Sequence, residues 1–177
     1  FYDKKILNIG YWLRKQTSFF NLDFPGHKKI KIWPYIKDSK AYKFVYSKLL
    51  MESERLGVDF DFNSIDHLYR LADKDYDVFL SQSIVFLDLW DTSANNVILE
   101  CIERETPILC SRHPACVEYL GKDYPLFFDN YSQIELLLSE DNIKNSHEHL
   151  KKLNATKSLS LNQFIYNFEN SSIYQSL

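Results

Sequence analysis

Ile84-Val85-Phe86-Leu87 is a run of four apolar residues with nothing polar between them. A strand with one wet face alternates apolar and polar positions, so an unbroken run suits a strand covered on both sides, the usual state inside a parallel sheet. Helix-like segments bracket this run. Asp73-Lys74-Asp75 opens a short helix reaching Leu80, with acids in its first turn where the helix dipole favours them, and a second helix is expected from Ser93 to Arg104. Pro107-Ile108-Leu109-Cys110 then reads as the next strand. His113-Pro114 starts a helix that Gly121 stops, with proline at the first helical position. Strand, helix, strand, helix in this rhythm implies parallel strands joined by right-handed crossovers.

The rest of the chain fits the same scheme. Lys4 to Ile9 reads as a strand closing on Gly10, and the alternating Ile30-Lys31-Ile32-Trp33 as another. Ala41, Phe44, Val45, Lys48, Leu49 and Leu56 recur at helical spacing between a capping Ser39 and a terminating Gly57. His67 to Leu71 supplies a third strand and Phe127-Phe128 a short last one, and residues 131–139, 140–153 and 158–169 read as helices. The expected fold class is therefore α/β, a Rossmann-like parallel sheet with helices on both faces, followed by C-terminal helices. The length of 177 residues suits one domain, residues 1–177.

Several function classes drop out. No apolar run reaches the roughly 18 residues of a membrane helix, so no membrane span is expected. No leader is visible, and Phe1 suggests a chain processed or excised from a longer one. Three cysteines at irregular spacing, Cys101, Cys110 and Cys116, do not form a disulfide framework and point to a reducing, cytoplasmic setting. Cys110, His113 and Cys116 have metal-like spacing but lack a fourth ligand, so core thiols and a helix-capping histidine are expected and no metal. His147 and His149 read as structural residues of a surface helix. No Walker loop, dinucleotide fingerprint or nucleophile elbow occurs.

Charge is uneven. Residues 1–56 carry a net +7 and residues 57–142 a net −12. The basic third can meet an anionic ligand, an acidic partner domain or nucleic acid, but no recognisable nucleic-acid module accompanies it, and no nucleic-acid partner is expected.

In open α/β sheets ligands bind beyond the carboxyl ends of the strands. Two stretches there have suitable chemistry. Gly10 to Lys15 follows a strand and brings Arg14 and Lys15, a guanidinium able to make two bonds to a phosphate and an ammonium adding charge. Leu87 to Glu100 runs from the buried strand through Thr92, Ser93, Ala94, Asn95 and Asn96 into a helix whose free N–H groups suit a phosphate, and Glu100 offers a carboxylate to ribose hydroxyls.

Taken in order, these segments resemble the C-terminal, nucleotide-sugar-binding domain of GT-B fold glycosyltransferases. Ser93 to Glu100, Cys101-Ile102 and Thr106-Pro107-Ile108-Leu109 resemble that family's acidic loop, helix and following strand. Cys110 to Pro114 with Glu118 to Gly121 resembles the turn and short helix after it, and Gly10 to Lys15 the turn carrying its phosphate-binding Arg and Lys. The resemblance covers roughly residues 4–130. It implies a nucleotide-sugar as donor substrate with no further cofactor, ribose at Glu100, the base along the backbone from Tyr69 to Leu71, and a parent protein supplying an N-terminal acceptor-binding domain. The family's pattern of Glu, seven residues, Glu has Thr92 in its first position here, with Asp91 beside it, and its Lys usually lies several residues beyond its Arg, whereas Arg14 and Lys15 are adjacent. The catalytic residue is thus unassigned. A non-catalytic nucleotide-sugar or phospho-ligand module, and a flavodoxin-like domain with another ligand, remain as alternatives.

Overall fold

A computed structural model of the chain describes residues 4–92, 95–156 and 160–176. Six parallel strands form one sheet: β1 (Lys5–Ile9), β2 (Lys28–Trp33), β3 (Asp66–Tyr69), β4 (Ile84–Leu87), β5 (Ile108–Ser111) and β6 (Phe127–Phe128). Their order is β3-β2-β1-β4-β5-β6. The order reverses between β1 and β4, which pair through Ile6↔Ile84 and Leu7↔Val85. Right-handed crossovers running outward from that reversal place the two halves of the chain on opposite faces of the sheet. β4 is buried at every residue, as its uninterrupted apolar sequence requires.

The helices follow the sequence closely. α1 (Gln16–Asn21) packs on α2 (Lys40–Leu56), which is capped by the Ser39 hydroxyl at one end and by left-handed Gly57 at the other. α3 (Asp73–Ser81) leads into β4. α4 (Asn96–Glu103) packs against α5 (Pro114–Leu120) and α7 (Glu140–Ala155), with α6 (Ile134–Leu137) between them in sequence and α8 (Leu161–Glu169) and α9 (Ser172–Gln175) at the end. Apolar residues of both halves, among them Phe19, Phe24, Leu49, Ile98 and Leu120, close over the sheet.

Two details depart from the sequence reading. α1 was not expected. It is six residues long and no side chain caps it, but it is fixed by tertiary contacts: Thr17 donates its N–H and hydroxyl to Glu52 Oε1, both at 2.8 Å. The helix expected from Ser93 starts at Asn96, because Asn95 is extended and acts as N-cap. His147 and His149 are structural, as the sequence reading has them: the one meets the Glu105 carbonyl at 2.8 Å and the other the Leu120 carbonyl at 2.7 Å, fastening α7 to the chain just after α4 and to the end of α5.

Candidate functional site

Gly10 ends β1 at the reversal in strand order, with φ +75°, a left-handed conformation open mainly to glycine. Its missing side chain leaves room for Arg14: a Cβ at Gly10 would lie 2.9 Å from both Nε and Nη2 of that guanidinium. The turn between them is pinned by backbone bonds to the segment after β4. Lys15 N–H donates to the Asp88 carbonyl and Trp90 N–H to the Leu13 carbonyl, both at 2.9 Å, and Arg14 forms an antiparallel bridge with Leu89. Leu13 takes φ +55° to allow it.

Arg14 is only 9% exposed, and its Nε and Nη1 are buried without a hydrogen-bond partner among the described residues. Burial lowers its pKa, and Cys110, Tyr76, Cys101 and Cys116 act against the fall. A buried guanidinium with unmade bonds costs free energy that an anion would recover. Lys15 is placed differently. Its Nζ lies 3.3 Å from buried Asp88 Oδ1, and Tyr131 donates to the other oxygen of Asp88 at 2.7 Å, so Lys15 spends its charge on the protein.

A second buried cation was missed in the sequence. Lys31 is 1% exposed, and its Nζ lies 2.5 Å from Asn8 Oδ1, 2.6 Å from Gln16 Oε1 and 3.0 Å from the Gly10 carbonyl. Three acceptors need three N–H donors, which an ammonium has and a neutral amine lacks. Burial drags its pKa well below the usual value, with Arg14 adding to the fall and Glu52 opposing it. The strand alternation in β2 assigns Lys31 to solvent. The one available hint was Asn8, a second polar residue in a central strand and the register partner of Lys31.

The loop after β4 holds Thr92, whose N–H donates to Asp91 Oδ1 at 2.7 Å, while Asp91 also meets His113 Nε2 at 3.4 Å. Ser93 and Ala94 lie outside the described residues. Asn95 is buried with its Oδ1 unpartnered among the described residues, and Asn96, the first residue of α4, is exposed. His113 Nδ1 accepts from Ala115 N–H at 3.3 Å and so caps α5, and Cys110 and Cys116 are buried, free thiols. Among the described residues no group of three or more His, Cys, Asp or Glu is arranged to hold a metal ion.

Glu100 and Gly10 line one cleft of about 290 Å³, with Trp33, Arg70, Leu71 and Tyr76 among its walls. Tyr76 donates to Glu100 Oε2 at 2.6 Å, leaving Oε1 without a donor among the described residues. Arg104 does not neutralise this carboxylate; its guanidinium engages Asp77 and the Glu100 carbonyl. Tyr69 does not line the cleft. Its ring stacks on Trp33 at 6.4 Å, and the neighbouring Arg70, held at φ +40°, forms the wall instead. Gly10 and Glu100 therefore share a cleft at the carboxyl edge, with Arg14 packed against Gly10, Arg70 coming from the Tyr69–Leu71 stretch expected to meet the base, and Tyr76 as a wall residue that no local motif announced.

The fold recurs in solved structures. An α,α-trehalose-phosphate synthase (UDP-forming) from Burkholderia xenovorans, in complex with glucose-6-phosphate, superposes with a TM-score of 0.62 at 15% identity, over 94% of this chain and 44% of that one. The Anabaena protein HepE in complex with UDP-glucose gives 0.62 at 14% identity, over 98% and 49%. The chain has the fold of a GT-B glycosyltransferase domain. A mutant O-GlcNAc transferase from Thermobaculum terrenum adds a TM-score of 0.57 at 14% identity, over 90% and 33%. The chain thus spans less than half the length of each of these neighbours. No family model matches it, and no curated protein sequence matches it significantly. Among the described residues no helix is long and apolar enough to cross a membrane.

Proposed function

We propose that this chain is the donor-binding domain of a glycosyltransferase, holding a nucleotide-sugar for transfer to an acceptor. One observation carries the reading: at the reversal in strand order Gly10 lies against a buried guanidinium whose Nε and Nη1 have no partner among the described residues, and lines one cleft with a half-satisfied carboxylate. The guanidinium matches a diphosphate and the carboxylate matches vicinal ribose hydroxyls. In this reading the ribose sits at Glu100 Oε1, the base lies along Arg70 and Leu71, and the phosphates lie over Gly10 toward Arg14 and the start of α4. Lys31 adds positive charge beneath the turn, and Lys15, engaged by Asp88, steadies the loop. Charge on the phosphates is met by these cations and by N–H groups, with no metal ion or further cofactor.

Catalysis belongs to a larger, cytoplasmic parent protein in which an N-terminal domain supplies the acceptor and excludes water. Thr92 favours a second reading, a nucleotide-sugar-binding module without transfer activity, because no carboxylate stands where the resembled family keeps its first acid. Calorimetric titration with UDP-, GDP-, ADP- and CMP-sugars tests the donor site: one of the four should bind, and failure of all four refutes it. Transfer activity of the parent protein separates the enzyme from the module.

A further inference from the structure

A second cleft, of about 410 Å³, opens at the same edge and shares no lining residue with the Glu100 cleft. Arg14 forms part of its wall. The facing wall is one side of α2, where Phe44, Lys48, Met51, Glu52 and Arg55 recur at helical spacing. Glu52 is the sole acid of the lining, and its oxygens are already engaged: Oε1 accepts from Thr17 N–H and hydroxyl, and Oε2 faces Trp90 Nε1 at 3.4 Å.

That leaves the cations of the cleft without a carboxylate. Lys48 and Arg55 make no ion pair among the described residues. They lie instead over aromatic rings, Lys48 5.2 Å from the Phe44 centroid and Arg55 4.7 Å from that of Trp90. Between them and Arg14 the cleft presents apolar faces to water, with Trp12 71% exposed and Met51 57%. A solvated basic helix face accounts for either cation singly. It does not account for an open indole beside them, in a cleft that also includes a buried guanidinium with unmade bonds. An indole face and a set of unneutralised cations together match a ligand with a C–H ring face and an anionic group.

We propose that this cleft binds an anionic saccharide, its ring against Trp12 and its phosphate or carboxylate between Lys48 and Arg55. The saccharide part of the assignment rests on the glycosyl-transfer reading above; the demand for an anion comes from the cations alone.

The test uses three probes with one ring, glucose 6-phosphate, glucuronate and glucose, titrated into the 177-residue chain and into its Lys48→Ala, Arg55→Ala and doubly substituted forms, with nucleotide diphosphates titrated in parallel. At least one anionic sugar should bind about tenfold or more tighter than glucose, as charge-assisted bonds imply. Each single substitution should weaken it several-fold, and the double one should erase its advantage while nucleotide affinity stays within about twofold. Phosphate and carboxylate sources are told apart by which sugar binds. Equal binding of glucose, an advantage that survives in the double variant, or nucleotide binding with no sugar binding each overturns the cleft assignment. Sugar binding that depends on Lys48 and Arg55, with no nucleotide bound, upholds the anion cleft and overturns the donor reading. Binding of neither overturns both.

Discussion

Replacing Glu100 by Gln keeps the shape of the side chain and removes its charge. In the present geometry Tyr76 already holds Oε2 at 2.6 Å, so a ribose hydroxyl must use Oε1. Glutamine keeps one oxygen. If that oxygen stays with Tyr76, the ribose meets an amide that cannot accept; if it turns to the ribose, the phenol loses its acceptor. Either way one charge-assisted bond is lost, at roughly 1.5–3 kcal/mol, or about a tenfold to a hundredfold rise in Kd. Calorimetry of wild type and Glu100→Gln, with whichever of UDP, GDP, ADP and CMP binds, reads this directly. The 2′-deoxy analogue should reproduce part of the loss in wild type and cost little more in the mutant. Tyr76→Phe should cost less than Glu100→Gln, since it frees an acceptor instead of removing one. If Glu100→Gln leaves ribonucleotide affinity within about twofold, the carboxylate does not touch ribose and the placement of the nucleoside is wrong.

Arg14→Met should raise the melting temperature while weakening nucleotide binding by roughly 1.5–3 kcal/mol, because it removes buried donors with unmade bonds that only an anion satisfies; a thermal melt and a titration on one preparation check both signs. Gly10→Ala should destabilise the fold by about 1–2 kcal/mol through the left-handed backbone, and weaken nucleotide binding as well, since its Cβ would stand 2.9 Å from two guanidinium nitrogens; chemical denaturation and calorimetry read the two effects. Lys31 has its folded pKa lowered, so the unfolded chain binds the extra proton and stability should rise with pH between the depressed folded value and lysine's ordinary 10.5. The stability difference between wild type and Lys31→Met, followed by urea melts across that range, should therefore move in favour of wild type as pH climbs, and a flat difference would contradict the assignment.

How far the sequence reveals this molecule depends on which interactions are local. β4 was legible because burial on both faces leaves no polar position, and α5 because Pro114 and Gly121 mark its ends through backbone geometry. α1 was not, since its six residues are too few for a period and its anchor, Glu52, lies on another helix. The same division runs through the site. Glu100 could be placed from its distance along a helix that follows a buried strand, and Gly10 from its place after one. Lys31 defeats a local reading: its alternation with Ile30 and Ile32 says solvent, and only the pairing of β2 with β1 brings Asn8 and Gly10 over its ammonium. Tyr76 reaches the cleft through the packing of α3, which no short motif encodes.

The turn that presents Arg14 is tied to the segment after β4 by main-chain atoms, Lys15 N–H to the Asp88 carbonyl and Trp90 N–H to the Leu13 carbonyl. Every residue except proline carries those atoms. The exposed side chains at positions 12, 13 and 90 are therefore free to be exchanged without loosening the grip on the guanidinium, provided residue 13 tolerates a left-handed backbone. Such a turn has a fixed frame and a replaceable lining, so descendants of one ancestral domain can acquire new ligand preferences through single substitutions there while the anion contact stays where it was.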